Sequence, residues 1–203
     1  MFTKLRQPLQ ERLEELGYSD LKTLQSHALE QFRAGKQLVV EGSAESGKSF
    51  FGALCLLQKI EVPSEGSPRG IMVCLTDDEA KKTHAFVSAV AKSFDLTVDL
   101  ITEKGNKLQQ RNDLFDGTEI IIGTPKRIYE LYIQNGFNVG KMSVFVVDDF
   151  EQQMKKGFNM QISRLAESLP KCQHVYLTNS TSDARVQQYL ETFVPHAQVV
   201  EEE

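Results

Sequence analysis

Short, uninterrupted apolar runs alternate along this chain with longer stretches in which apolar residues return every third or fourth position. The runs are "QLVVEG" from 37, "GIMVCL" from 70, "TVDLIT" from 97, "EIIIG" from 119, "SVFVV" from 143, "HVYLT" from 174 and a weaker "AQVV" from 197. A strand with one face in water alternates apolar and polar side chains, whereas a continuous Val/Ile/Leu run marks a strand covered on both faces, as in parallel sheets. Between the runs, spans 50–60, 77–93, 105–115, 125–135, 150–168 and 182–193 carry helical spacing, for example Ala85, Phe86, Ala89 and Val90. The alternation predicts an α/β fold, a mostly parallel sheet with crossover helices on both faces. The turn-rich stretch "PSEGSPRG", Pro63 to Gly70, predicts an exposed connection after the first crossover helix.

Composition narrows the picture. With 203 residues and 40% hydrophobic content, the expectation is one domain spanning 1–203 around a single continuous core. Lys and Arg number 23 against 28 Asp and Glu, a net charge of -5, so an anionic partner has to be met by a local patch. Cys55, Cys74 and Cys172 are odd in number and widely spaced, which suits reduced core thiols better than disulfides or a zinc site. The histidines at 27, 84, 174 and 196 lack ligand spacing and read as structural or surface residues. The opening "MFTKLRQPLQERLEEL" has no apolar stretch of a signal peptide, and no run approaches the ~18 apolar residues of a membrane span. The expectation is a cytoplasmic protein without a membrane partner.

The stretch "EGSAESGKSF" adds chemistry. Gly42, Gly47, Lys48 and Ser49 satisfy G-x-x-x-x-G-K-[ST] between an apolar run and a helical pattern, the context a phosphate loop requires. In such a loop, spanning 42–49, the backbone N–H groups of Gly42, Ser43, Ala44, Glu45, Ser46 and Gly47 turn toward phosphate oxygens. Lys48 reaches the terminal phosphates, and Ser49 offers its hydroxyl to magnesium. Glu45 is unusual, because a carboxylate repels a triphosphate unless it points to solvent. A loop kept only for its fold is the competing reading. A magnesium partner is expected on a neighbouring strand end, and "SVFVVDDFE" supplies Asp148 after an apolar run, with Asp149 and Glu151 behind it.

With these motifs in order, the chain resembles the DEAD-box helicases, specifically their N-terminal RecA-like domain. "GYSDLKTLQ" (17–25), closing a Q-motif region at 1–25, is similar to the family's Q motif, and "GSAESGKS" to motif I. "LTDDEA" stands at motif Ia, "GTPKR" at motif Ib, "DDFE" (148–151) at motif II and "TNS" (178–180) at motif III. The resemblance implies an ATP-binding domain using ATP and Mg, with Gln25 reading adenine and Phe2 the nearest candidate for stacking on the base. It further implies Asp148 and Ser49 toward the metal and Lys48 and Asp149 as the catalytic pair. Glu151, Thr178 and Ser180 would couple nucleotide state to shape, and Thr124, Pro125 and Arg127 would hold an RNA backbone. A second RecA-like domain, in cis or in trans, is the implied partner for catalysis.

Departures from the family pattern modify these expectations. Asp149 stands where the family has Glu and is one methylene shorter; a misplacement of about 1 Å can cost on the order of a hundredfold in rate, so slow hydrolysis is expected. Asp77 and Asp78 occupy a stretch where a basic residue is usual, and Glu103 and Lys104 replace paired glycines before Gln110, so RNA binding is expected to be weak and salt-sensitive. Phe150 takes the place of a small Ala, either as a plug against motif III or, more simply, as core. The enzyme-domain reading therefore competes with a pseudo-helicase that keeps the fold as an interaction module. An unrelated phosphate-loop kinase or GTPase fits poorly, since no guanine-reading NKxD motif is present. The chain reads equally as part of a longer helicase or as a single-domain relative.

Overall fold

Apolar runs become strands at the expected places. The structure, a computed structural model, describes residues 4–64, 66–169 and 171–202. Among them β1 (Leu38–Glu41), β2 (Gly70–Val73), β3 (Val98–Ile101), β4 (Ile120–Gly123), β5 (Val144–Val147), β6 (Gln173–Thr178) and β7 (Gln198–Glu201) form one sheet. Its order is β3-β4-β2-β5-β6-β1-β7, and every neighbouring pair is parallel. The registers Val40↔Leu177 and Met72↔Val146 align the central strands, so their carboxyl ends open onto one edge.

Parallel strands need crossovers, and helices supply them on both faces. They are α1 (Gln7–Glu15), α2 (Thr23–Arg33), α3 (Lys48–Lys59), α4 (Asp77–Ala91), α5 (Lys107–Asp116), α6 (Pro125–Ile133), α7 (Phe150–Lys155), α8 (Asn159–Ser168) and α9 (Ala184–Phe193). Alternate residues of one strand serve opposite layers. Val144 and Val146 pack toward Leu9, Leu29 and Leu54 of the α1–α4 side, while Phe145 and Val147 pack toward Ile128, Ile162 and Val186 of the α6, α8 and α9 side. Helix α3 can lie close on the sheet because residue 52 is glycine; a Cβ there would come within 2.7 Å of Leu177 Cδ1.

The helix pattern differs from expectation in two places. Helices α1 and α2 lie in a stretch for which the periodicity reading gave no elements, although Leu24, Ala28, Leu29 and Phe32 follow helical spacing and are buried. In α1 the apolar signal is a single narrow stripe, Leu9 and Leu13, among charged neighbours. The single span 150–168 is two helices, because Gly157 at φ 84° turns the chain between α7 and α8. No described helix is long and apolar enough to cross a membrane. Cys55, Cys74 and Cys172 are buried free thiols, and burial pushes each thiol up in pKa.

Edge strand β3 carries a misplaced charge. Burial, reinforced by Asp113, raises the Asp99 carboxyl from its ordinary 3.8 to about 6, and its Oδ2 is buried without a hydrogen-bond partner. An acid whose folded pKa is raised binds its proton more tightly folded than unfolded, so this group favours folding at low pH and opposes it as pH climbs through about 6. Asp99→Asn is therefore expected to stabilise the protein at neutral pH by about 1–2 kcal/mol, allowing for solvent screening. It should also flatten the pH dependence of stability between about pH 4 and 6. Urea unfolding of both proteins across that range checks it; parallel pH profiles would count against the assignment.

Candidate functional site

The loops leaving β1, β2, β4, β5 and β6 emerge on the same edge of the sheet, the place where open parallel sheets present binding groups. The first is the loop that carries the G-x-x-x-x-G-K-S pattern, running from β1 into α3. Gly47, at φ 81°, sits in the left-handed region as the N-cap of α3. Lys48 is buried, and its Nζ donates to the carbonyls of Gly42 at 2.6 Å and Ser43 at 2.5 Å and to Asn179 Oδ1 at 3.0 Å. Burial draws the ammonium below its usual pKa, while Asp148, Asp149 and Glu202 oppose that shift. The chain's own carbonyls and Asn179 thus hold this cation in the structure.

The stretch 17–25 is clamped to that loop. Tyr18 stacks on Phe50 of α3, with ring centroids 5.3 Å apart, and meets Phe86 of α4 edge-on at 5.4 Å. Gln25 is buried; its Nε2 donates to Gly47 O at 2.9 Å and its Oε1 accepts from Lys22 N at 2.9 Å. A Cβ on residue 47 would lie 2.3 Å from Gln25 Nε2, a second reason for glycine there. The Lys22 ammonium donates to Glu45 O, and the Glu45 side chain is exposed, the condition under which it does not oppose a phosphate. Ser43, Ala44 and Ser49 are exposed, and Ser46 is buried with its hydroxyl donating to Ser43 O at 2.8 Å. Phe2 lies outside the described residues. From the far end of the chain, Glu202 Oε2 accepts from Ser43 N at 2.6 Å, so a carboxylate already sits at the rim of the loop; that bond, with Lys48 and Lys22 nearby, holds its pKa low.

Opposite the loop, β5 delivers Asp148, whose N–H donates to Val73 O at 2.9 Å. Burial raises its carboxyl to about 7, against the opposing hydrogen bond from Ser49, with the neighbouring Asp149 adding to the rise. Asp149 begins α7 with φ 46°, a left-handed conformation uncommon outside glycine, and its N–H donates to Asp148 Oδ1 at 3.0 Å. Burial and Glu79 raise its pKa as well. Glu151 is ion-paired with Lys155, and the Thr178 hydroxyl donates to Ser180 O at 2.9 Å. Glu151 and Thr178, expected to act together, are thus each held here by partners close in sequence.

The loops after β2, β3 and β4 form the other half of the edge. Thr124 follows β4, and its hydroxyl donates to the Glu103 carboxylate; Pro125 opens α6. Arg127 is not free to reach outward: its guanidinium donates to Glu103 O at 3.2 Å, Gly105 O at 3.2 Å and Gln110 Oε1 at 3.0 Å, and pairs with Glu130 Oε2 at 3.0 Å. The acids of "LTDDEA" have a local cause. Thr76 and Glu79 form a capping box at the start of α4, with Thr76 N donating to Glu79 Oε2 at 2.9 Å, and Asp77 and Asp78 lie in the first turn, where helix polarity favours negative charge.

A family model described as DEAD/DEAH box helicase matches residues 22–189. The chain belongs to the DEAD/DEAH box helicase family. It is similar to an ATP-dependent RNA helicase eIF4A of Kluyveromyces lactis, with 24% identity over 192 residues covering 94% of this chain and 48% of the relative. Among solved structures it superimposes on a DEAD box protein of Methanococcus jannaschii with a TM-score of 0.89 at 15% identity, covering 98% of this chain and 54% of that one. It also superimposes on Saccharomyces cerevisiae Dbp5 bound to RNA and ADP BeF3, with a TM-score of 0.83 at 23% identity, covering 98% of this chain and 50% of that one. The chain spans about half the length of the curated relatives it matches, and at these identities the structural likeness establishes the RecA-like fold of the DEAD-box family.

Several residues of this DEAD-box chain stand at the site without having been singled out in the sequence. Asn179 holds Lys48, Lys22 and Glu202 flank the loop, and Gln153 is buried with its Nε2 donating to Asp148 O at 2.6 Å and Val73 O at 3.1 Å, tying two strand ends together. Only the capping box had a local signature, Thr76 followed three positions later by Glu79. The others are assembled by contacts between distant segments.

Proposed function

We propose that this chain is the ATP-binding RecA-like domain, spanning 1–203, of a cytoplasmic ATP-dependent RNA helicase. It would bind Mg-ATP, and RNA only weakly. The observation that carries the reading is the meeting of Ser49 with the buried Asp148 across the loop after β1 and the end of β5. A buried carboxyl raised to about 7 beside a hydroxyl is a hard-oxygen donor pair short of positive charge, which suits magnesium. Bound there, magnesium would neutralise phosphate charge.

The chain's own groups would do the rest. Lys48 would exchange its carbonyl partners for terminal phosphate oxygens, and N–H groups of the loop 42–47 would line the phosphates, although those of Gly42, Ser43 and Ser46 now donate to Thr178 O, Glu202 and Ser43 O. Gln25 would read adenine by turning its amide from Gly47 O and Lys22 N toward the base edge, with Phe2 in a stacking role. Asp149, half-buried at the head of α7, would position the attacking water from one methylene short of the family's Glu, so turnover would be slow. Glu151, Thr178 and Ser180 would signal nucleotide state by changing the partners they now hold. Thr124, the head of α6 at Pro125 and Arg127 would meet RNA backbone. A second RecA-like domain, in cis or in trans, would complete the site; an arginine supplied that way is worth roughly three to five orders of magnitude in comparable enzymes.

Calorimetry with Mg-ATP and Mg-GTP tests this reading. ATP is expected to bind at least about tenfold more tightly, since the edge where adenine offers N6–H and N7 to an amide carries two acceptors in guanine and leaves a buried polar atom unpaired. Equal affinities would remove the adenine role of Gln25. The second reading, an interaction module with little or no turnover, draws support from Arg127 and Thr124, whose side chains are already engaged within the chain. It gains if no nucleotide binds at millimolar concentration.

A further inference from the structure

The Glu103 side chain occupies a position that an RNA phosphate would need. It stands on the loop after β3, half-buried, and reaches across to the loop after β4, where its carboxylate accepts the Thr124 hydroxyl at the head of α6. A hydroxyl beside the first turn of a helix is a good seat for one anionic oxygen. Here that oxygen belongs to the chain.

The surroundings fix the loop that carries the carboxylate. Arg127 donates to the backbone carbonyls of Glu103 and Gly105 and to Gln110 Oε1, and Gln110 Nε2 donates to Thr102 O at 3.0 Å, so the segment 102–105 is braced from both sides. Asp77 Oδ2 accepts from Lys104 N at 3.2 Å, adding a second acid beside the same loop. These braces hold main-chain atoms, and none of them uses the Glu103 carboxylate. Among the described residues the Glu103 carboxylate has the Thr124 hydroxyl as its hydrogen-bond partner, so the side chain contributes an anion without being required to shape the loop.

We propose that Glu103 is the residue that sets the affinity of this domain for single-stranded RNA, by acting as an internal competitor for the Thr124 phosphate position. The inference rests on the RNA-binding reading of Thr124 given above. A phosphate arriving at Thr124 must displace the carboxylate and then sit beside a like charge, both of which oppose binding. Removing the charge removes both penalties. Near a protein surface one unit charge a few ångström away is worth about a tenfold change in affinity or more, screened by salt.

Fluorescence anisotropy with a labelled oligouridylate, at several salt concentrations, compares the natural protein with Glu103→Ala and Glu103→Gln. The Gln variant keeps the size and an acceptor for Thr124 while discarding the charge, and thermal melts verify that both fold. Each variant is expected to bind about tenfold more tightly at low salt, with a log affinity against log salt slope steeper by about one. Adding Thr124→Ala to Glu103→Ala should erase the gain, because the gain is local to that hydroxyl. Equal affinity of all folded proteins would overturn the role of Glu103 and leave RNA binding intact. A gain that survives Thr124→Ala would also overturn it, assigning the effect to net charge. No binding by any folded protein would overturn both this role and the RNA-binding reading.

Discussion

Lys48→Ala should lower the affinity for Mg-ATP by about a hundredfold or more. A charge-assisted hydrogen bond contributes about 1.5–3 kcal/mol, and a lysine spanning two phosphates makes two of them, so the combined loss is at least about 3 kcal/mol. Tenfold in affinity corresponds to about 1.4 kcal/mol. The side chain is buried and its three closest acceptors are Gly42 O, Ser43 O and Asn179 Oδ1. The two carbonyls belong to a loop whose Ser43 and Ala44 are exposed, so water can replace the ammonium and the fold should be kept. Calorimetry on the folded variant reads the effect. A change of less than about threefold would place the nucleotide away from this loop, since one such bond alone exceeds it.

Phe150→Ala carries the largest expected stability cost, about 3–5 kcal/mol. Phe150 has no exposed surface; its ring lies 4.8 Å from Tyr176 and 4.9 Å from Tyr189 between centroids. It is therefore a core residue rather than a plug against the 178–180 stretch. It also backs a buried polar chain in which His174 Nδ1 lies 2.9 Å from the Tyr176 hydroxyl and that hydroxyl 3.0 Å from Tyr189. Burial holds the His174 imidazole down to about 4, so the chain stays uncharged at neutral pH. Deleting the ring opens a cavity beside these hydroxyls. Urea unfolding should show a lower midpoint with an unchanged slope, and Phe150→Leu should lose distinctly less. A loss below about 1 kcal/mol would mean that neighbouring side chains collapse into the space.

The two glutamates at the site edge illustrate how little of its occupancy follows from motifs. Glu45 is conspicuous in the phosphate loop, yet its side chain is exposed and its carbonyl accepts from Lys22. Glu202 is one of a run of acids in the sequence, yet it is the carboxylate that accepts from Ser43 N. The difference lies in β7, which pairs with β1 in register and carries Glu202 to the loop's rim, where its N–H donates to Glu41 O at 3.0 Å.

By itself the sequence determined the α/β architecture, the strands and the loop-bearing edge, because these follow from short-range facts. A Val/Ile/Leu run between helical periods leaves no apolar face for water, and each such run marks a strand whose carboxyl end leads into a crossover helix. The family motifs followed for the same reason, as did the buried, reduced character of the cysteines. Helix α1 was hidden by its thin apolar stripe, and the break at Gly157 by periodic residues on either side.

Only the tertiary structure decided which groups are already spoken for. Arg127 and Thr124 look free in a motif but are bound to residues of the loop after β3, and Gln25 and Lys48 are bound to the phosphate loop itself. A hydrogen bond depends on positions within a few ångström, and parallel crossovers bring together segments separated by long stretches of chain. Spacing along the sequence carries no record of those distances, so chemistry could be named in advance while its partners could not.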